Sequence, residues 1–209
     1  MLGEALQLLE RAAEPGVAEG MARFGIAKGL GRDQVLAEQL WDAGVYEARL
    51  LACFVGEPRL LTAQGMDGWA AAFDNWATCD TACFDLFDKS PLAWDAVHRW
   101  ADDEREFVRR AAFALLAGLA LHAKKLPDTP FLEALPLIEA AAGDERNFVK
   151  KGVSWALRAI GMRNPALHAA ASELAGRLAA SPAPAARWIG RDAARDLARP
   201  AAQRKAGLG

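Results

Sequence analysis

Cysteine, histidine and tyrosine are scarce in this 209-residue chain, with three, three and one copies. Three thiols (Cys53, Cys79 and Cys83) are too few for the disulfide framework of a small secreted domain, and no Cys/His cluster completes the four ligands of a zinc site. Cys79 and Cys83 share one face of an apolar helix and read as core. His98, His122 and His168 stand apart from one another and from any Ser or Cys placed as a nucleophile. Long apolar runs are missing too. Charges or glycines interrupt every candidate before the roughly 20 residues a membrane helix needs, and the opening Met1-Leu-Gly-Glu lacks the basic start of a signal peptide. A cytoplasmic, reducing location is the expectation. Val and Ile are sparse, and no stretch alternates apolar with polar residues as a half-buried strand does. Gly25-x3-Gly29-x-Gly31 has neither a strand before it nor a Lys-Ser/Thr after it, which excludes a phosphate loop.

What remains is the composition of an ordinary globular domain: 53% hydrophobic, 25% charged and 8% aromatic. Apolar residues recur at helical spacing, as in Phe107, Ala111, Ala114, Leu115 and Gly118, and again in Val149, Val153, Ala156, Leu157 and Ile160. Ser90-Pro91, Leu126-Pro127, Asn164-Pro165 and Ser181-Pro182 break helices, and Gly31, Gly44, Gly56 and Gly143 sit where helices end or turn. The reading is all-α, with about ten or eleven helices of roughly one to two dozen residues. One domain is expected over residues 1–198, followed by a small, basic, mobile tail over 199–209.

The net charge of −2 conceals a division. Residues 1–103 hold 8 Lys and Arg against 17 Asp and Glu, a balance of −9, and residues 104–209 hold 17 against 10, a balance of +7. Such polarity suggests a polyanion as partner of the C-terminal half. The segments also repeat. Phe107-Val-Arg-Arg aligns with Phe148-Val-Lys-Lys at an offset of 41, and Trp188-Ile-Gly-Arg191 follows 40 residues later. Tyr46-Glu-Ala-Arg49 carries the same pairing of an aromatic with a base three residues on, while Trp76-Ala-Thr-Cys-Asp80 substitutes an acid. Periods near 40 suit HEAT-like repeats, an α-solenoid of stacked antiparallel helix pairs lining a concave face. Arg49, Arg110, Lys151 and Arg191 are candidates for a basic stripe there, joined by Arg109 and Lys150 within the repeated motif. Glu47, Glu106 and Asp192 are the acids near enough in sequence to neutralise such bases instead.

Two helical stripes could carry chemistry. Trp76 and Asp80 are four apart, so an indole lies one turn before a carboxylate, an arrangement able to hold a cation. Lys151, Trp155 and Arg158 place an aromatic between two bases, as an anionic ligand such as nucleic acid requires.

Four stretches follow one another in order, beginning at Leu36-Ala-Glu-Gln-Leu-Trp-Asp-Ala-Gly-Val-Tyr, Phe73-Asp-Asn-Trp-Ala-Thr-Cys-Asp, Glu106-Phe-Val-Arg-Arg-Ala-Ala-Phe and Asp144-Glu-Arg-Asn-Phe-Val-Lys-Lys-Gly-Val-Ser-Trp-Ala-Leu-Arg. In them the chain resembles the HEAT-like repeat glycosylases of DNA alkylation repair. The resemblance implies a hydrolase that needs no cofactor and no metal; no Lys sits beside an aspartate in a lyase constellation, so monofunctional base release by a monomer is the expectation. It would release N3- and N7-alkylated purines, such as 3-methyladenine and 7-methylguanine, from double-stranded DNA in base excision repair. Asp80 matches the family's essential acid, Trp76 and Trp155 match indoles that contact the lesion's deoxyribose, and Arg110 and Arg158 match bases that hold the backbone. A non-catalytic module that binds nucleic acid or protein is the alternative. The chain departs from the family between the stretch ending in Gly25-Ile26 and that beginning at Asp33, where residues 27–32 replace a longer segment with an extra helix. Phe24 stands nearest to the aromatic that closes the lesion site in some relatives.

An N3- or N7-alkylpurine already carries positive charge and leaves as a neutral base, so the demand falls on the sugar. As the bond breaks, the deoxyribose becomes oxocarbenium-like, and a preorganised carboxylate favours that charge over the ground state. Asp80 fits this role.

Overall fold

The computed structural model describes the backbone of residues 1–12 and 19–208, and the side chains of residues 1–10 and 25–208. Phe24 therefore has a side chain outside the described residues. Within them are thirteen α-helices, one 3-10 turn and no strand, and no helix is long and apolar enough to cross a membrane. The helices run from 6 to 17 residues, shorter and more numerous than their periodicity suggests. The reason is compact punctuation, since breaks of a few residues separate helices whose apolar patterns nearly run together. The chain divides into two compact units, Met1–Leu92 and Ala93–Gly209. By sequence the first holds 7 Lys and Arg against 14 Asp and Glu, and the second 18 against 13.

The first unit contains α1 (Leu2–Ala12), α2 (Glu19–Leu30), α3 (Gln34–Asp42), α4 (Tyr46–Val55), α5 (Ala63–Ala71), α6 (Trp76–Asp85) and the 3-10 turn Phe87–Lys89. Most of residues 27–32 belong to α2, and the chain leaves that helix through Gly31 at φ +73°, a conformation natural to glycine. Short polar side chains start the later helices. Asp33, Thr62 and Asn75 accept from the backbone N–H three residues on, at 2.9, 3.0 and 2.9 Å, each worth about 1 kcal/mol. Gly44, at φ +72°, turns α3 into α4. At the core, Trp41 of α3 stacks on Trp69 of α5 with centroids 4.1 Å apart and planes within 3°, and Phe73 meets Trp41 edge-on. Stacked rings add about 1 kcal/mol beyond their burial.

The second unit contains α7 (Ala93–Trp100), α8 (Glu106–His122), α9 (Thr129–Ala141), α10 (Asn147–Gly161), α11 (Pro165–Ala179), α12 (Pro184–Leu197) and α13 (Pro200–Lys205). Helix α8 is buried without interruption from Ala111 to Ala120, which explains its run of small and apolar residues. The sequence repeat is visible in space, because α8 and α10 begin 41 residues apart and Phe107 and Phe148 meet with centroids 5.1 Å apart. Each helix is preceded by the same Asp-Glu-Arg loop. Asp103 accepts from Arg105 N at 2.8 Å and pairs with Arg105 Nη2 at 2.6 Å; Asp144 accepts from Arg146 N at 3.0 Å and pairs with Arg146 Nη2 at 2.6 Å. These arginine hydrogen bonds hold both carboxyls below their usual range and raise Arg146. The later loop also reaches the earlier one, as Arg146 Nη1 donates to Glu104 O.

Two further contacts fix the C-terminal helices. Arg163, beyond α10, donates to Ala120 O at 2.8 Å and to Ala123 O and Leu126 O at 3.1 Å, with its guanidinium 3.9 Å from the Phe131 ring centroid. It caps the carbonyl end of α8 with a cation, as the helix dipole favours, and burial lowers it from the usual guanidinium value. Gly190 lets α12 approach the last turn of α11, since a Cβ there would stand 2.1 Å from Ala179 N and 2.6 Å from Ala175 O. The tail is helical over Pro200–Lys205, and Ala202 and Ala206 are buried.

Candidate functional site

Helix α6 begins at Trp76 because the Asn75 side chain caps it. Thr78, Cys79, Ala82 and Cys83 are buried, which turns the opposite face, bearing Trp76 and Asp80, outward. Trp76 is 54% exposed, high for an indole, and Asp80 is half-buried one turn later. Phe84, another turn on, continues the stripe and is also half-buried. Its i+4 spacing from Asp80 is the sequence signal for this placement. The three cysteines are core, and burial pushes the Cys53 thiol up, which removes it as a nucleophile at neutral pH.

The second stripe lies on α10. Val149, Gly152, Val153, Ala156, Leu157 and Ile160 are buried, and Lys151, Trp155 and Arg158 face the other way. With Arg110 of α8 and with Trp188 and Asp192 of α12 they line a cleft of about 420 Å³. Four of the residues singled out in the sequence thus meet in one place: Arg110, Lys151, Trp155 and Arg158.

Their charges are not equally available. Lys151 is exposed and has no ion-pair or hydrogen-bond partner among the described residues. Arg158 stands 3.3 Å from Asp196 Oδ2 and 3.7 Å from Asp192 Oδ2, and its Nε donates to Ser154 O at 3.3 Å. Asp192 in turn accepts from Ser154 Oγ at 2.8 Å and pairs with Arg195 at 2.6 Å. Arg110 is 6% exposed and donates from Nη1 to Phe148 O at 2.8 Å, so it joins α8 to α10 while lining the cleft. Arg109 donates to Ala101 O at 2.9 Å and to Asp144 at 3.2 Å, a tie between loops. Lys150 places its ammonium 5.0 Å from the Trp188 ring centroid, and Arg191 is exposed on the adjoining surface of α12.

Arg49 belongs to the first unit. Its guanidinium lies 5.2 Å from the Trp41 ring centroid and donates to Ala72 O at 3.4 Å, and the Asp74 carboxylate is 4.0 Å away. It extends the aromatic stack. Of the acids considered as partners, Asp192 does neutralise bases, while Glu106 accepts from Phe148 N at 3.3 Å. Trp188, the aromatic of the third repeat motif, joins the cleft as a lining residue, and the four-residue spacing of Trp188, Asp192 and Asp196 is the sequence signal that also points to Asp196.

A family model described as DNA alkylation repair enzyme matches residues 22–197. No curated protein matches the chain. A solved structure described as "a new family of proteins related to the HEAT-like repeat DNA glycosylases with affinity for branched DNA structures" superposes with a TM-score of 0.69 at 20% identity, over 92% of this chain and 87% of that one. It establishes the HEAT-like repeat fold. Two designed armadillo repeat proteins, one bound to a (KR)4 peptide, align at 15% identity with TM-scores of 0.42 and 0.39, over 98% and 94% of this chain and 88% and 100% of theirs.

Proposed function

Because the chain belongs to the DNA alkylation repair enzyme family, we propose that it is a monofunctional DNA glycosylase that hydrolyses the N-glycosidic bond of N3- and N7-alkylated purines in duplex DNA. The observation that supports this most directly is the half-buried carboxylate of Asp80, one turn from a 54% exposed indole on the outward face of α6. A groove that only gripped phosphates would gain nothing from a carboxylate there. An enzyme that builds positive charge on a sugar has use for it, and the indole face beside it favours the same charge.

In this mechanism the bond between C1′ and the purine nitrogen breaks first, and its electron pair leaves with the base, neutralising the alkylpurinium. Positive charge on the deoxyribose is stabilised by Asp80 and by the face of Trp76. Water adds to C1′, and Asp80 accepts its proton. Lys151 and Arg191 hold phosphates, Trp155 packs on a sugar, and Arg158 contributes the part of its charge that Asp192 and Asp196 leave uncompensated.

A second reading, nucleic-acid binding without base release, is favoured by that compensation of Arg158 and by the affinity for branched DNA described for the structural neighbour. One assay separates the two. Purified protein is incubated with methylated duplex DNA, and the freed bases are identified by chromatography. Release of 3-methyladenine or 7-methylguanine above the spontaneous rate is expected. DNA retardation in a gel without release would establish the second reading, and absence of both release and retardation would reject both.

A further inference from the structure

Helix α12 presents an indole, Trp188, to which the proposed mechanism gives no role. Its buried side is Ala185, Ala186, Ile189, Gly190, Ala193 and Leu197, which leaves Trp188, Arg191, Asp192 and Arg195 on the other. Trp188 is 39% exposed, high for an indole. It lines two clefts at once: the one it shares with Lys151 and Trp155, and a second of about 270 Å³ that it shares with Arg187, Arg191 and Arg195.

The electrostatics of the two clefts are alike. Asp192, the carboxylate common to both, is neutralised by Arg195 and Arg158 and accepts a hydrogen bond from Ser154 Oγ. Arg187 is committed to Ser181 O and Pro182 O, both at 3.1 Å. One base on each side of the indole remains uncommitted among the described residues, Lys151 in the first cleft and Arg191 in the second. Lys150 covers one face of the ring, its ammonium 5.0 Å from the centroid, so a stacking base takes the other face or displaces this flexible side chain toward a phosphate.

An exposed aromatic set between two available cations is what a single nucleotide step calls for, with a base to stack and a phosphate on either side. A paired base in a duplex keeps its faces against its neighbours and cannot use such a ring. We propose that Trp188 is a stacking platform for an unpaired nucleobase of DNA, with Lys151 and Arg191 holding the phosphates that flank it. The surface would thereby favour DNA carrying a single-stranded segment over fully paired duplex. This rests on the DNA-binding part of the proposed function and not on base release.

The test measures affinity of the full chain for three unmethylated DNAs: a paired duplex, the same duplex with a single-stranded overhang, and the overhang duplex with abasic residues in place of its unpaired bases. The wild-type protein should bind the overhang DNA about tenfold tighter than the other two. Trp188→Ala should abolish that preference, and Trp188→Phe should keep most of it. Equal wild-type affinity for all three DNAs would overturn the proposal, as would a Trp188→Ala protein that retains the preference or loses affinity equally for all three. Because no base release is read, failure of the glycosylase assay leaves this measurement standing, whereas absence of all DNA binding would reject both readings.

Discussion

Arg158 Nη1 lies 3.3 Å from Asp196 Oδ2, so the base expected to meet a phosphate is already met by an acid. DNA must compete with that carboxylate for the guanidinium. Partly exposed pairs of this kind are worth up to about 1 kcal/mol. Asp196→Asn should therefore raise affinity for duplex DNA about threefold, and Arg158→Ala should lower it, both measured by fluorescence anisotropy at fixed salt. Unchanged affinity in both variants would remove Arg158 from the DNA surface.

Asp80→Asn keeps the shape of the side chain and removes its charge. Release of methylated purines should fall by at least about 100-fold, the scale on which preorganised charge acts. Duplex affinity should stay equal or rise, because a negative group near a polyanion is gone. Turnover near the wild-type rate would take Asp80 out of the mechanism.

The loop carboxylates Asp103 and Asp144 sit below their usual pKa because arginines donate to them. A carboxyl lowered in the folded state adds stability that is fully present above its unfolded value, about 4, and is lost as pH falls through the folded value. Melting temperature should accordingly hold steady from neutral pH down to about 5 and drop below about 4. Asp144→Asn should lower stability by about 2 kcal/mol at pH 7, since Arg109 and Arg146 lose a charged acceptor. Its deficit should narrow in acid. Parallel pH profiles for variant and wild type would show that the loop does not titrate this way.

Gly190 sits where any side chain would collide with the backbone of α11. Gly190→Ala should cost about 3 kcal/mol in chemical denaturation, the upper range of overpacking, because the obstacle is main chain and cannot swing aside. Gly176→Ala, where an added Cβ meets nothing within 4 Å, is the control and should be neutral or slightly stabilising in mid-helix. Equal behaviour of the two would contradict the close approach of α11 and α12.

The all-helical fold and its repeat were legible because burial imposes a period on composition, as in Val149, Val153, Leu157 and Ile160, all wholly buried. The number of helices was less so, since breaks such as Gly44 span too few residues to disturb the apolar pattern. The outward placement of Trp76 and Asp80 followed from spacing along one helix. The state of the bases did not. Arg110 and Lys151 occupy equivalent repeat positions, yet the first is buried against Phe148 O and the second is exposed. Their difference arises from which neighbour follows in the stack, and a one-dimensional pattern does not carry that. Arg158 is similar, because its partners Asp192 and Asp196 lie 34 and 38 residues away in sequence. Counting charges overstated what this surface offers an anion.

The hook from Arg146 to the carbonyl of Glu104 has a direction. The later copy of the Asp-Glu-Arg loop grasps the earlier one, while its own pairing with Asp144 is internal. The earlier module answers through Arg109, which pairs with Asp144, and Arg110, which donates to Phe148 O, so the joint is buckled from both sides. Lengthening or shortening an array of this type demands matched chemistry on both edges of every joint, so modules are exchanged only between neighbours that carry both halves of the buckle.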